Sequence, residues 1–212
     1  MAIKVYGAQR STCTQRVLTA LHEKGVEYEL VPVDFSKGEH KGEAHLKKQP
    51  FGKVPVLDDD GFLVYESRAI AQYIAAKYHG QGNDIFPAPG DIKGFALLQQ
   101  GISVELSNFD PLVSEIAFEK VFKGFHGGGA ADEALVAKLT TKLEGTLAGY
   151  ERILSQQKYL TGDKVTLADL FHLPYGTFLE NLGFSEIYSK YPAFYKWLKE
   201  LQARESWKKV TA

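Results

Sequence analysis

The segment QPFGKVPVLDDDGFLVYESRAI, residues 49–70, decides how the first part of this chain folds. Its central part, VPVLDDDGFLVYES, predicts two strands, because an Asp-Gly pair between two apolar runs is a strong hairpin signal. Pro55 at the mouth of the first strand indicates a specific backbone turn, and a cis peptide bond is one way to make it. The second strand ends at Glu66 and Ser67, where a helix begins.

The residues before this hairpin alternate between strand and helix. IKVY, 3–6, predicts a short strand, and VEYELVPV, 26–33, predicts a second one because it is rich in Val and Tyr. Between them TQRVLTALHEK predicts a helix, since its apolar residues share one stripe and Gly25 is a natural stop. With the hairpin and the helix SRAIAQYIAAKY, residues 1–79 are predicted to follow the order β-α-β-loop-β-β-α.

The rest of the chain is predicted to be helical. GQGNDIFPAPG, 80–90, is rich in Gly and Pro and is typical of a linker between domains. Beyond it the apolar residues recur at steps of three or four, and we find no convincing strand. The predicted helical segments are 91–123, 132–156, 166–179 with a capping-box-like start, and a last helix from Tyr191. The fold class is therefore α/β plus all-α, with an N-terminal α/β domain and a helical-bundle domain over 91–212.

The composition excludes several function classes. The 212 residues are 44% apolar and 24% charged, which predicts a packed core, and the formal net charge is −1. No strongly basic face stands out, so we expect neither nucleic acid nor a membrane as main partner. A single cysteine cannot form an internal disulfide, no secretory signal is visible, and no apolar run approaches about 18 residues. We expect a cytoplasmic protein.

Few residues offer chemistry by themselves. His40 and His45 lie in one loop, but no second cysteine or carboxylate pair completes a metal site, so both read as solvated histidines and no metal or other cofactor is expected. The stretch RSTCTQRV, 10–17, is more informative. A helix begins near its Ser11, and a helix N-terminus favours an anion, including a thiolate. Without further context Ser11 reads as an N-cap.

Five short motifs together resemble the glutathione S-transferases, and the phi class in particular. They are S-T-x-x-x-R-V at 11–17, G-E-H-K at 38–41, F-G-K-V-P-V-L at 51–57, E-S-R-A-I at 66–70 and T-L-A-D-L at 166–170. The resemblance covers nearly the whole chain. It implies a thioredoxin-like glutathione-binding domain, a helical domain that contributes the electrophile pocket, a homodimer, and a role in detoxification and stress response.

The resemblance also implies how glutathione, a co-substrate with two carboxylates and one ammonium group, is bound. Ser67 at a helix N-terminus binds the γ-glutamyl carboxylate, Glu66 pairs with the ammonium group, and Val54 offers its backbone to the cysteinyl residue. A lysine stands at 53 where many phi-class relatives have glutamine, and it suits the glycyl carboxylate as a point charge. The complete glutathione-binding set is Ser11, His40, Lys41, Lys53, Val54, Pro55, Glu66, Ser67 and Arg68, where Arg68 supports the helix start or a dimer contact.

By resemblance, Ser11 is the catalytic serine, and its role is to donate its O–H to the glutathione sulfur. A free thiol with a pKa of about 8.5 is only about 3% ionised at pH 7. Lowering that pKa by about two requires about 2.7 kcal/mol. A hydroxyl hydrogen bond, worth about 1.5–3 kcal/mol, and the helix dipole, worth about 0.3–1 kcal/mol, can supply this together. Cys13 is the rival. Two residues along a helix turn a side chain by about 200°, so Ser11 and Cys13 should not face one ligand, and Cys13 reads as inward packing.

The acceptor pocket is expected between the domains, with an apolar lining. Its candidates are Phe35, Phe118, Phe122, Tyr175 and Phe178, each of which taken singly reads more readily as core. The preferred reading is a glutathione transferase that conjugates apolar electrophiles and also reduces hydroperoxides. Two alternatives stay open: a non-catalytic carrier of apolar ligands, and a thiol transferase based on Cys13.

Overall fold

A computed structural model describes residues 3–125 and 127–212 of the chain. Its strands are β1 Ile3–Gly7, β2 Tyr28–Pro32, β3 Val56–Asp59 and β4 Phe62–Tyr65. Its helices are α1 Thr12–Lys24, α2 Glu43–Leu46, α3 Ser67–Lys77, α4 Ile92–Val104, α5 Asp110–Ala117, α6 Lys123–Phe125, α7 Glu133–Leu154, α8 Leu167–Leu170, α9 Leu173–Leu179, α10 Ser185–Ser189, α11 Pro192–Gln202 and α12 Glu205–Thr211. A 3-10 turn covers Glu39–Lys41, and π-helical segments cover Glu105–Phe109, Phe118–Phe122 and Glu180–Phe184. These elements fall into two units, one up to Pro89 together with Arg204–Ala212 and one over Gly90–Ala203.

The first unit is built on a four-stranded sheet in the order β2-β1-β3-β4. β1 pairs parallel with β2 and antiparallel with β3, and β3 pairs antiparallel with β4. Alternate residues of β1 are buried, and α3 contributes Ile70 and Ile74 to the same core, each fully buried. This arrangement confirms the predicted β-α-β-loop-β-β-α order and the thioredoxin-like architecture.

The decisive segment folds as the sequence predicts. β3 and β4 form a hairpin in which Asp60 (φ 54°) and Gly61 (φ 89°) occupy the left-handed region that this tight turn requires. The Asp58 carboxylate accepts a hydrogen bond from the Gly61 N–H at 2.8 Å and holds the turn in place. The peptide bond between Val54 and Pro55 is cis.

The second unit is helical, and two carboxylates, of which Asp169 is buried, connect its helices. Asp169 is fully buried and accepts hydrogen bonds from Thr166 N at 2.8 Å and from the Trp197 indole at 3.0 Å. It thereby caps α8, as the T-L-A-D-L motif predicts, and joins α8 to α11. Glu151 of α7 accepts from Ala193 N and so satisfies the start of α11. Among the described residues, no helix is both long enough and apolar enough to cross a membrane.

Several element and domain boundaries differ from those that the sequence predicts. The predicted run 91–123 is divided into α4, α5 and α6 by two π-helical segments. The predicted linker 80–90 is largely part of the first unit, because Ile85 is buried and Asn83 donates its N–H to the Glu23 carbonyl at 2.8 Å. The C-terminus forms a separate helix, α12, which belongs to the first unit rather than to the helical domain, because Glu23 binds Arg204.

Candidate functional site

Ser11 is the N-cap residue of α1. Its backbone is extended (φ −71°, ψ 126°), and its N–H donates to the Ala8 carbonyl at 2.9 Å, which closes the turn after β1. Its Oγ accepts from Thr14 N at 3.4 Å, and the side chain is half-buried. A hydroxyl that accepts a bond from an N–H keeps its own proton for donation to another group. The N-cap prediction is confirmed, and the hydroxyl stands at the positive end of the helix dipole.

Arg16 connects the starts of α1 and α3, a role that the sequence pattern did not predict. It is 1% exposed, and its Nη1 donates to Ser67 Oγ at 2.9 Å. The same Nη1 lies 3.7 Å from Cys13 Sγ. The sequence does contain a signal for this role, because Arg16 is the arginine of the S-T-x-x-x-R-V motif and lies directly beside the apolar stripe of α1. Cys13 itself is only half-buried, so its prediction as inward packing is not fully met.

The start of α3 has a strained backbone. Glu66 occupies the N-cap position with φ 70° and ψ 110°, a conformation that a non-glycine residue adopts at a cost of about 1–3 kcal/mol. Glu66 is exposed, whereas Ser67, the first helical residue, is 5% exposed. The first N–H groups of a helix have no intrahelical partner, so an anion can bind there. Backbone strain of this kind concentrates at functional sites.

The loop from 49 to 53 is held by two buried polar side chains that the sequence analysis missed. Gln49, 1% exposed, accepts from Phe51 N at 2.6 Å and from Lys53 N at 3.3 Å. His45 donates its Nε2 proton to the Lys53 carbonyl at 2.7 Å. The interpretation of His45 as a solvated histidine is therefore wrong, because it is 7% exposed and fixes this loop. Among residues 3–125 and 127–212, no three His, Cys, Asp or Glu side chains are grouped as metal ligands would be.

Gly52 brings the two basic segments together. Its φ is +60°, and a Cβ atom here would lie 2.8 Å from the His40 carbonyl oxygen and 2.7 Å from Lys41 Cδ. Lys41 also donates its Nζ to the Phe51 carbonyl at 3.0 Å. The structure thus places His40 and Lys41 against the loop that carries Lys53, which is exposed. That His40, Lys41 and Lys53 together form a positive rim for a carboxylate stays a prediction.

The remaining predicted site residues are placed as follows. Val54 and Arg68 are half-buried, and Pro55 is buried. Among the aromatic candidates, Phe35 belongs to the first unit, is 48% exposed and contacts the edge of His40 with ring centres 4.8 Å apart. The other four belong to the second unit: Phe118 is 42% exposed, Tyr175 is half-buried, and Phe122 and Phe178 are stacked with ring centres 5.5 Å apart. That these five line one acceptor pocket stays a prediction.

Comparison with known proteins matches both parts of the chain to the same family. The model of the glutathione S-transferase N-terminal domain matches residues 1–76, and the model of the C-terminal domain matches residues 109–205. The chain is 45% identical over 212 residues to glutathione S-transferase hmp2 of Hypomyces subiculosus, covering 100% of this chain and 99% of the relative. It is 50% identical over 184 residues to glutathione S-transferase PM239X14 of Arabidopsis thaliana, covering 86% and 84%.

Solved structures are similar over the same extent. Glutathione transferase F7 from Populus trichocarpa has a TM-score of 0.95 at 39% identity, covering 99% of this chain and 98% of that one. Glutathione S-transferase I from maize, in complex with an atrazine glutathione conjugate, has a TM-score of 0.91 at 34% identity, covering 99% and 96%.

Proposed function

The chain belongs to the glutathione S-transferase family and is similar to its phi class, and from this premise we propose that Ser11 stabilises the glutathione thiolate. The observation that carries the proposal is the position of the Ser11 hydroxyl. It stands at the N-terminus of α1, accepts a bond from a backbone N–H, and so has its own proton available for the sulfur. A cytoplasmic location suits the single cysteine and the use of reduced glutathione.

The chemistry follows from this hydrogen bond. The thiol proton leaves to solvent, and the thiolate that remains accepts the Ser11 O–H and lies near the positive end of the α1 dipole. Its lone pair then forms a bond to an electrophilic carbon, and the leaving group departs with the electron pair of the bond that breaks. Ser11 forms no covalent bond with glutathione or with the electrophile in these reaction steps.

Glutathione is proposed to bind through both of its ends. The γ-glutamyl carboxylate is bound by Ser67 and the first N–H groups of α3, with the buried guanidinium of Arg16 behind Ser67. Glu66 pairs with the ammonium group, and the cysteinyl residue pairs with the Val54 backbone next to Pro55. The glycyl carboxylate is bound by the basic groups that border the loop, and Arg68 supports the start of α3. Those basic groups are His40, Lys41 and Lys53.

The acceptor is proposed to be an apolar, often aromatic, electrophile. The stacked rings of Phe122 and Phe178 offer a flat aromatic surface in the helical unit. A relative holds a glutathione conjugate of atrazine, an aromatic compound, which supports this class of acceptor. Hydroperoxides are a second class: the thiolate attacks the O–O bond and yields an alcohol and a glutathione sulfenic acid, which a second glutathione converts to the disulfide and water.

We propose that the protein is a homodimer in which the edge strand β4 is covered by a second copy. β4 lies at the end of the sheet, and an uncovered apolar edge strand invites association. Three large side chains in or next to this strand are exposed: Phe51 by 63%, Phe62 by 56% and Tyr65 by 38%. Phe51 and Tyr65 contact each other with ring centres 6.4 Å apart, so they form one patch.

A second candidate function is thiol transfer by Cys13. The observation that favours it is the half-buried Cys13 Sγ, 3.7 Å from the same Arg16 Nη1 that binds Ser67. The proposed step is exchange of this sulfur with glutathione disulfide or with a mixed disulfide. A non-catalytic carrier would keep glutathione binding but lose turnover.

The test compares the unaltered chain with Ser11→Ala and Cys13→Ala in glutathione conjugation of an aryl halide and in disulfide exchange. We expect Ser11→Ala to lower conjugation about 100-fold, since about 2.7 kcal/mol of thiolate stabilisation is at stake, and Cys13→Ala to change it less than about twofold. Loss of disulfide exchange in Cys13→Ala, with conjugation by the unaltered chain negligible, would instead establish the thiol transferase. Tight ligand binding with negligible turnover of either kind would establish the carrier.

A further inference from the structure

A short turn connects β1 to Ser11, and Gln9 lies at its tip. The turn is closed by the bond from Ser11 N to the Ala8 carbonyl, and Gln9 is exposed. The Gln9 side chain nevertheless has a fixed partner, because its Nε2 donates to the Val210 carbonyl at 2.9 Å. The turn that leads into Ser11 is thus tied to the last turn of the C-terminal helix α12.

The Val210 carbonyl is available for this bond because of its place in α12. The helix ends at Thr211, and the last four carbonyls of an α-helix have no intrahelical donor. The Gln9 amide supplies such a donor. The side chain of Val210 is 2% exposed, so this carbonyl is held by packing even though it lies near the end of the chain.

The other end of α12 is anchored on α1. Glu23, which is 2% exposed, accepts from Arg204 Nε and Nη2 at 2.6 Å each and also from the Ser206 hydroxyl. A bidentate guanidinium–carboxylate pair fixes orientation as well as distance. With both ends of α12 held against the first unit, the Val210 carbonyl is a stationary anchor for the turn that contains Gln9.

Ser11 itself is held loosely by its own helix. Its Oγ accepts from Thr14 N at 3.4 Å, which is longer than the range of about 2.7–3.2 Å for a well-formed bond of this type. Ser11 is the last residue of the turn 8–11. The backbone of this residue sets the direction of its Cα–Cβ bond. Whatever fixes the turn therefore also fixes the Cα–Cβ bond from which the hydroxyl projects.

We propose that Gln9 is a positioning residue, whose bond to the Val210 carbonyl fixes the turn 8–11 and aims the Ser11 hydroxyl at the glutathione sulfur. The inference rests on the proposed function, because it concerns the same hydroxyl. It assigns the C-terminal helix a part in thiolate stabilisation, although neither Gln9 nor α12 needs to touch the substrate.

The experiment uses the full chain with Gln9→Leu, which removes the amide at similar side-chain size. Gln81→Leu is the matched control, because Gln81 Nε2 donates to the Lys24 carbonyl at 3.0 Å, the same kind of bond at the opposite end of α1. Conjugation of an aryl halide is measured across pH, together with KM for glutathione and Tm. We expect Gln9→Leu to move the pH–rate profile to higher pH and to lower kcat near pH 6 about threefold, with KM and Tm equal to those of Gln81→Leu.

An unchanged pH–rate profile in Gln9→Leu overturns the inference. A lower rate at every pH without a displaced profile also overturns it, because Gln9 would then support the fold and not the hydroxyl. Ser11→Ala in the same experiment separates the two claims. If Ser11→Ala leaves the profile in place, the proposed function fails; if it displaces the profile and Gln9→Leu does not, only the role of Gln9 fails.

Discussion

Gly52 is the residue on which the geometry of the loop 49–53 depends. It needs φ +60°, and it leaves no room for a Cβ atom beside the His40 carbonyl and the Lys41 side chain. Gly61 has an equally unusual φ of +89°, but nothing lies within 4 Å of a Cβ atom there. The two glycines therefore separate the cost of backbone conformation from the cost of displacing His40 and Lys41.

We expect Gly52→Ala to raise KM for glutathione about tenfold, equivalent to about 1.4 kcal/mol, because His40 and Lys41 must move away from the proposed carboxylate site. The value of kcat should change less than about twofold. Gly61→Ala should destabilise the fold by about 1 kcal/mol through its backbone alone and leave KM unchanged. Steady-state kinetics at varied glutathione and thermal unfolding measure both. Equal KM changes in the two variants would contradict the role assigned to Gly52.

At this scale the sequence predicts residues that act through local geometry and misses those that act across the fold. Ser11 as an N-cap follows from its own neighbours in the chain. Arg16 and Ser67 are 51 positions apart, and only the packing of α1 beside α3 makes one the partner of the other. The prediction that His45 is solvated was wrong for the same reason, because the burial of this side chain depends on the loop that reaches Lys53.

Among the elements, α12 is held by a buried carboxylate whose ionisation is coupled to folding. Burial by itself would raise the pKa of Glu23, but hydrogen bonds from Arg204, Ser206 and Asn83 and the charge of Arg204 outweigh it and hold this pKa below the ordinary 4.5. A carboxylate with a lowered pKa contributes stability above its ordinary pKa and loses that contribution as the pH falls through the lowered value.

We therefore expect Glu23→Gln to lower the free energy of unfolding by about 2 kcal/mol at neutral pH, because Arg204 loses its charged partner. The difference from the unaltered chain should shrink as the pH falls below about 4.5. Glu205→Gln is the control on the same helix, since its pair with Lys208 is exposed and should contribute little. Denaturant unfolding over a range of pH measures both. A loss of equal size at acidic and neutral pH would show that Glu23 acts by packing and not by charge.

The strands and the two long helices between Ile3 and Lys77 were predictable because their signals are local. The strand β3, the hairpin turn and the helix α3 each show a periodicity or a turn pair inside a few residues. α12 was missed because it has seven residues and owes its position to Glu23, far away in the sequence. The division of 91–123 by π-helical segments has no counterpart in the apolar pattern, which continues through it.

For the whole molecule, the sequence predicts the two-part organisation but not its boundary. Apolar periodicity distinguishes an α/β part from a helical part. The boundary depends on which segments pack on which core, and the segment that contains Ile85 and Asn83 packs on the first unit despite its linker-like composition. The proposed second copy of the chain is likewise invisible to periodicity, since its support is the set of large apolar side chains left exposed on and beside an edge strand.

Phe51 offers the sharpest test of the homodimer, because it is the most exposed side chain of the patch beside β4. If a second copy covers this patch, Phe51→Ser removes a large buried aromatic group from the interface and should raise the dimer dissociation constant at least about 100-fold. Phe125→Ser is the matched control, since Phe125 is 82% exposed and lies in α6 of the helical unit, outside the patch. Sedimentation across a range of concentrations measures the association. An unaltered chain that sediments as a monomer would contradict the homodimer, whereas a Phe51→Ser variant that dimerises as well as Phe125→Ser would show that another surface forms it.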